Sequence, residues 1–184
     1  MKPAFVVIDM NIDFFEESPA LMERKDFLVK NINDLAAYFR DKKIPVIWIR
    51  QEFKADLSDV YLFMKKTGRR VTIQGTRGAG LLDELDKRTQ DLVIVKNRYS
   101  AFFKTELEKF LATNKIDTLV LAGINTHACV RMTAIDAYER DIEVMLAEDC
   151  VESWDREHHD ITLRYFEKSM GIEALSNEQL KNKF

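Results

Sequence analysis

The chain has 184 residues, 46% of them hydrophobic, which is enough to bury one substantial core. Its 28 basic and 31 acidic residues are interspersed and give a formal net charge of −3, without the basic stripe typical of nucleic-acid-binding proteins. No stretch approaches the roughly 18 uninterrupted apolar residues of a membrane span. We therefore expect a single cytoplasmic domain over residues 1–184, with no membrane and no nucleic-acid partner.

Five short apolar runs, rich in valine, isoleucine and leucine, predict strands that are buried on both faces. In chain order they cover residues 4–8, 45–49, 92–95, 118–122 and 144–147. Helical periodicity lies between and after them, in a helix that ends near Asp41 and in residues 104–114, 126–140 and 155–166. Such alternation predicts right-handed βαβ units and an α/β fold, a three-layer α/β/α sandwich around a mostly parallel sheet.

The segment 51–80 interrupts this alternation, because it is long, polar in patches and contains four of the six glycines. We predict a loop excursion with functional contacts. The run GTRGAG at 75–80 superficially suggests a phosphate cradle, but it has neither the Walker lysine pattern nor the Rossmann spacing. A turn that leads into a short helix at 81–86 is the favoured interpretation.

Three chemically complementary side chains follow predicted strands. Asp9 and Lys96 come directly after their strands, and Cys129 lies a few residues beyond the fourth, at the start of a predicted helix. Ligands of parallel sheets bind beyond the carboxyl ends of the strands, so the carboxylate, the lysine and the nucleophilic thiol would meet at one edge of the sheet. A helix N-terminus and a lysine both favour a thiolate, while an adjacent carboxylate can take the thiol proton as general base.

That combination suits cleavage of a C–N bond. The base that removes the thiol proton can return it to a leaving amine. Attack on a carbonyl also creates an oxyanion, which N–H groups in the turn before Cys129 are placed to bind. The second cysteine, Cys150, has no base beside it in the sequence and is interpreted as structural.

Three ordered motifs give these residues a family likeness. They are VIDM at 7–10, VKNRYSAF at 95–102 and GINTHACV at 123–130, accompanied by the pattern Gly-Thr-x-Gly at 75–78. Over residues 4–175 the chain resembles the isochorismatase-like cysteine hydrolases, which include nicotinamidases and N-carbamoylsarcosine amidase. The resemblance implies a Rossmann-like fold and a homo-oligomer, a dimer or a tetramer.

The resemblance also implies residue roles. Asp9 would be the base, Lys96 its electrostatic partner and Cys129 the nucleophile. A cis peptide bond is implied between Ile124 and Asn125, and the backbone amides of Asn125 and Cys129 would form the oxyanion hole.

Departures from the family patterns narrow the chemistry. Isochorismatases proper cleave a vinyl ether and typically lack a cysteine at this position, so Cys129 favours amide or ureide hydrolysis. Nicotinamidases carry an Asp-x-His metal site after the second strand, whereas residues 50–53 here read RQEF. With only three histidines in the chain we expect no metal of that kind, and no cofactor.

Aromatic residues near the strand ends are candidates for the walls of a substrate pocket: Phe14, Phe53, Tyr99 and Phe102. His127 could pair with Cys129 as a dyad, but adjacent turn residues seldom face one another, so a substrate contact or a structural role is favoured. His158 and His159 lie at a charged helix start, where we expect them to be solvated.

The sequence therefore predicts a cysteine hydrolase that cleaves a C–N bond of a small amide or ureide through a thioester. Two alternatives stay open. One is isochorismatase-type ether hydrolysis by Asp9 and Lys96 without Cys129, and the other is a non-catalytic ligand-binding or assembly subunit.

Overall fold

The computed structural model describes residues 1–184 and contains six strands and seven helices. The strands are β1 (Pro3–Ile8), β2 (Val46–Gln51), β3 (Leu92–Lys96), β4 (Thr118–Gly123), β5 (Glu143–Val151) and β6 (Glu173–Leu175). The helices are α1 (Ile12–Glu16), α2 (Pro19–Asp41), α3 (Leu62–Thr67), α4 (Leu107–Thr113), α5 (Arg131–Tyr138), α6 (Arg156–Tyr165) and α7 (Asn177–Lys183). One π-helical turn, Thr126–Val130, directly precedes α5, and another, Phe166–Met170, directly follows α6. None of the helices combines the length and apolarity needed to cross a bilayer.

All six strands form one sheet in the order β3-β2-β1-β4-β5-β6, and every neighbouring pair is parallel. The chain moves outward from β1 to β3 and then crosses to the other side of β1 to form β4. The direction of winding therefore reverses between β1 and β4. In open α/β sheets this is where a crevice forms beyond the carboxyl ends of the strands.

Helices cover both faces of the sheet, because side chains alternate between the two faces along each strand. Phe5 and Val7 of β1 belong to a cluster of 23 buried residues with α1, α2 and α7. Ala4, Val6 and Ile8 of the same strand belong to a second cluster, of 22 buried residues, with α4 and α5. The predicted three-layer α/β/α sandwich is confirmed.

Several local predictions need correction. β3 is an edge strand rather than one buried on both faces, and Val93 and Val95 are 37% and 44% exposed. The helix predicted at 81–86 is absent, because this stretch runs as turns across the end of β1, where Leu82 N–H donates to Met10 O at 2.9 Å. The strand β6 and the helix α7 were not predicted.

The excursion after β2 is a packed unit with its own small core. Phe53 forms this core with four residues that are also buried, namely Val60, Met64, Val71 and Ile73. In the glycine-rich turn, Gly78 lies so close to Asp13 that a Cβ there would be 1.7 Å from Asp13 Oδ1. A carboxylate against this turn disfavours a phosphate, in agreement with the simple turn interpretation.

Gly123, at the end of β4, allows β1 and β4 to come together at the crevice. Its φ is +101°, a conformation that side chains disfavour, and a Cβ would lie 2.0 Å from Ile8 O. The carbonyl of Ile8 also accepts a hydrogen bond of 2.9 Å from Ile124 N–H, so the two strand ends are joined here.

We predict that Gly123→Ala lowers the free energy of unfolding by about 3 kcal/mol or more, since both the backbone and the space exclude a methyl group. Gly171→Ala is the matched control, because its φ of +67° is also positive but nothing lies within 4 Å of the added Cβ. The control should lose only about 1 kcal/mol in urea unfolding. Equal losses in the two variants would contradict the close approach.

Candidate active site

Asp9, Lys96 and Cys129 meet at the carboxyl edge of the sheet, as the strand-end argument predicts. Their exposed fractions are 1%, 2% and 6%, so the cluster is nearly closed to bulk water. Asp9 follows β1 with a φ of +54°, and its N–H donates to Ile49 O of β2 at 2.8 Å. These contacts fix the acid where β1, β2 and β4 end.

The lysine and the aspartate form a buried ion pair. Lys96 Nζ lies 2.5 Å from Asp9 Oδ2 and also donates to Arg98 O at 3.0 Å. The other carboxylate oxygen, Oδ1, is buried without a well-formed hydrogen bond. Besides Lys96, the carboxylate interacts with the Cys129 side chain and with the backbone of Gln51, so it can accept the thiol proton.

The pKa values of Asp9 and Lys96 are set by burial and by the charges of the other groups in the cluster. Burial raises the pKa of Asp9 above its ordinary value, although Lys96 opposes the rise. Burial disfavours the charged form of Lys96, but Asp9 and Cys129 together more than offset this and leave the lysine pKa raised. The aspartate is therefore a stronger base than a solvated one, held beside a charged lysine.

The thiol differs from the expectation of a ready-made thiolate. Burial raises the pKa of Cys129 well above the ordinary cysteine range, the negative charge of Asp9 raises it further, and Lys96 opposes both only in part. The lowering expected from the lysine is therefore present but outweighed, and the pKa of the thiol is raised rather than lowered. The geometry instead fits a neutral thiol that loses its proton to Asp9 when it attacks.

Hydrogen bonds fix the segment that carries Cys129. Thr133 Oγ1 donates to Cys129 O at 2.7 Å and accepts from Ala101 N–H at 3.0 Å, which joins the cysteine turn to the loop after β3. Thr126 Oγ1 donates to Glu152 O at 3.0 Å and is 2.9 Å from His159 Nδ1. His159 is therefore buried and structural, contrary to the solvated position expected, whereas His158 is exposed.

The turn before the cysteine has the backbone that the family resemblance implies. The peptide bond Ile124–Asn125 is cis. Asn125 O accepts from the N–H groups of Ala128 and Val130 at 3.0 and 3.3 Å, while Asn125 N–H donates to no backbone acceptor. This free N–H, close in sequence to Cys129, is the kind of donor that an oxyanion requires.

A cavity of about 700 Å³ opens above Asp9 and Cys129. Its walls are largely apolar and aromatic, with a few polar groups, which is the usual character of a small-molecule site. Of the predicted pocket residues, Phe14, Tyr99 and His127 line it. The Nδ1 atom of His127 lies 2.5 Å from Ser153 Oγ, so this nitrogen is occupied by the serine rather than by the cysteine.

Two predicted pocket residues lie elsewhere. Phe53 is fully buried in the small core of the excursion, where its ring packs edge-on against Tyr61 at 5.2 Å. Phe102 is buried on the α4–α5 side of the sheet, with the Arg140 guanidinium 4.8 Å from its ring. Proximity to a strand end in sequence does not decide whether a side chain turns toward the crevice or toward the core.

Other residues of the site had no clear signal in the sequence. Gln51, the last residue of β2, and Tyr61, just before α3, both line the cavity. Asn11 ties this edge together, because its side chain donates to Gln51 O at 3.0 Å and to Ala79 O at 2.7 Å and accepts from Gln51 N–H at 3.1 Å. The one signal in the sequence was that Gln51 follows the predicted strand 45–49 closely, which suggests a position at the carboxyl edge of the sheet.

Comparison with known proteins supports the family likeness. The isochorismatase domain model matches residues 3–179. A probable inactive nicotinamidase from Arabidopsis thaliana is 38% identical over 146 residues, which cover 75% of this chain and 74% of that protein. Enterobactin synthase component B from Escherichia coli is 28% identical, and the match covers 97% of this chain but 62% of that protein. The solved structure of N-carbamoylsarcosine amidase from Thermoplasma acidophilum is 30% identical, with a TM-score of 0.81 over 97% of this chain and 98% of that one.

The residues at the end of β2 and directly after it do not offer the metal ligands of a nicotinamidase. Gln51 Nε2 donates to the Tyr61 hydroxyl at 2.7 Å, and Phe53 has no metal-binding atom. Arg50 pairs with Glu52 at 2.6 Å, so this carboxylate already has a cationic partner. The donor set does not fit that metal site.

Removing one partner of the buried ion pair should destabilise the fold more than removing both. We predict that Lys96→Met costs about 3–5 kcal/mol of unfolding free energy, because it leaves Asp9 buried and unpaired. The double variant Asp9→Asn/Lys96→Met should recover most of that loss in urea unfolding at neutral pH. Additive losses in the double variant would show that the two groups are not coupled.

Proposed function

The chain belongs to the isochorismatase family, and we propose that it is a cysteine hydrolase that cleaves a C–N bond of a small amide or ureide. The observation that carries this proposal is the buried cluster of Asp9, Lys96 and Cys129 at the base of a substrate-sized cavity. One of its structural relatives is an N-carbamoylsarcosine amidase, and this relationship is consistent with cleavage of a C–N bond.

In the first half of the proposed reaction, Asp9 takes the thiol proton as Cys129 Sγ attacks the substrate carbonyl. The C–S bond forms, and the carbonyl π electrons move to oxygen. The N–H groups of Asn125 and Cys129 bind this oxyanion. Asp9 then returns the proton to the nitrogen, the C–N bond breaks, and ammonia or an amine leaves from a thioester.

In the second half, water replaces the leaving group. Asp9 accepts a proton from water as it attacks the thioester, and the proton passes to the departing thiolate. Lys96 keeps its contact with Asp9 Oδ2 throughout, so the other oxygen performs both transfers. The product is a carboxylic or carbamic acid, and the thiol is restored.

A mutational test uses ammonia release from a panel of primary amides and N-carbamoyl compounds. We predict that Cys129→Ala lowers kcat/KM on the best substrate by about a thousandfold or more, since the covalent route is lost. Cys150→Ala is the control, because the buried Cys150 thiol donates a hydrogen bond to Asn177 Oδ1 at 3.3 Å and does not line the cavity. This variant should retain wild-type turnover.

Each outcome of that panel has a meaning. Wild-type turnover by Cys129→Ala on an amide would contradict the covalent mechanism. Hydrolysis of isochorismate that survives loss of Cys129 would favour the ether hydrolase instead. A wild-type protein inactive on the whole panel would favour a non-catalytic binding subunit.

The pH dependence follows from the raised pKa of Asp9. Asp9 must be ionised to accept the thiol proton, so kcat/KM should be fully present above its pKa and fall as the pH drops through it. Because burial raises that pKa, the acid limb should lie above the ordinary aspartate value of about 3.9. A profile of kcat/KM against pH that instead rises with thiol ionisation, around pH 8.5, would contradict the role of the aspartate.

A further inference from the structure

Tyr61 lies in the wall of the cavity, and its ring packs against two other aromatic rings. It stands directly before α3 in the excursion and is half-buried. Its ring stacks on Tyr99 with the centroids 4.7 Å apart and an interplanar angle of 18°, and it meets Phe53 edge-on at 5.2 Å. The phenol therefore has little freedom to turn away from the site.

The hydroxyl of Tyr61 has an incomplete set of hydrogen bonds. Its oxygen accepts from Gln51 Nε2 at 2.7 Å, but its own O–H donates to no protein acceptor. Tyr38 provides a contrast within the same chain, because its O–H donates to Lys181 O at 2.6 Å. Because Tyr61 lines the cavity, this O–H is available to donate to an oxygen of a bound molecule.

Tyr61 lines the same cavity as Asp9 and Cys129, and its phenol stays protonated there. Burial raises the pKa of Tyr61 far above its ordinary value, and the nearby ionisable groups of Cys129 and Asp9 raise it further, because a phenolate would lie beside them. The phenol is thus a neutral donor at every working pH. It can bind an acceptor oxygen without adding charge beside the thiol.

We propose that Tyr61, oriented by Gln51, is a substrate-positioning residue that donates a hydrogen bond to a second oxygen on the acyl side of the bond to be cleaved. This inference rests on the proposed C–N hydrolase function. When the leaving group is ammonia, only the acyl portion of the substrate can supply that oxygen. The preferred substrates are therefore amides or ureides whose acyl portion carries a second oxygen, such as a carbonyl or carboxylate oxygen.

The aromatic walls suggest a suitable pair of probes. Phe14, Tyr99 and Trp154 line the cavity with Tyr61 and can contact a planar ring. 2-Oxo-2-phenylacetamide carries the second oxygen and 2-phenylacetamide lacks it, while both keep the ring and the primary amide. A site built to bind such an oxygen discriminates against the analogue without it.

The experiment measures binding of both probes by calorimetry in a Cys129→Ala background, where no thioester can form. We expect Tyr61→Phe to weaken binding of 2-oxo-2-phenylacetamide by roughly five- to tenfold and to leave 2-phenylacetamide within about twofold. Gln51→Met should produce part of the same selective loss, and the double variant with Tyr61→Phe should lose no more than Tyr61→Phe alone. Tyr138→Phe, at an exposed position on α5, is the control and should change neither affinity.

Equal weakening of both probes, no change in either, or no binding of either probe would overturn the inference. These outcomes are separate from failure of the proposed function, because binding does not require turnover. A protein that shows the selective loss but releases no ammonia would retain the positioning role and lose the hydrolase assignment.

Discussion

The buried ion pair between Asp9 and Lys96 is the interaction on which the rest of the site depends. Lys96 lies on β3 and Asp9 follows β1, with β2 between them, so the side chains must bridge two strand spacings, roughly 10 Å. The long lysine side chain can span that distance, and the parallel register of the three strands keeps the bridge in place. Their charges are tolerated away from water because each neutralises the other, and the sheet must remain intact for that to hold.

The same burial determines the protonation state of Cys129, the proposed nucleophile. A thiol beside a carboxylate in a closed site stays neutral, since a thiolate there would lie next to a second negative charge. The raised pKa of Asp9 favours the proposed transfer of the thiol proton, because it makes the carboxylate a stronger base and the Cys129 side chain interacts with it. Lys96 interacts with both Asp9 and Cys129, but its attraction for a thiolate is outweighed by burial and by the charge of Asp9.

The sequence was sufficient to predict the fold class and the three residues of the cluster. Apolar strands, and the residues that follow them, can be recognised from short stretches of sequence alone. It failed where the outcome depends on tertiary packing. Phe53 and Phe102 turn into cores instead of the cavity, and His159 is buried by the cysteine turn. Tyr61 could not be found in advance, because its position depends on how the excursion folds over the end of β2, and no periodicity encodes that.

The most direct test of a neutral resting thiol is a pH titration of the ultraviolet absorbance of the thiolate. The absorbance of Cys129→Ala is subtracted from that of the wild type at each pH, so that only the ionisation of Cys129 remains. The account predicts no ionisation of Cys129 at or below the ordinary cysteine value of about 8.5, and a lower pKa when Asp9→Asn removes the neighbouring charge. A thiol already half ionised near neutral pH, or one whose pKa rises in Asp9→Asn, would contradict it.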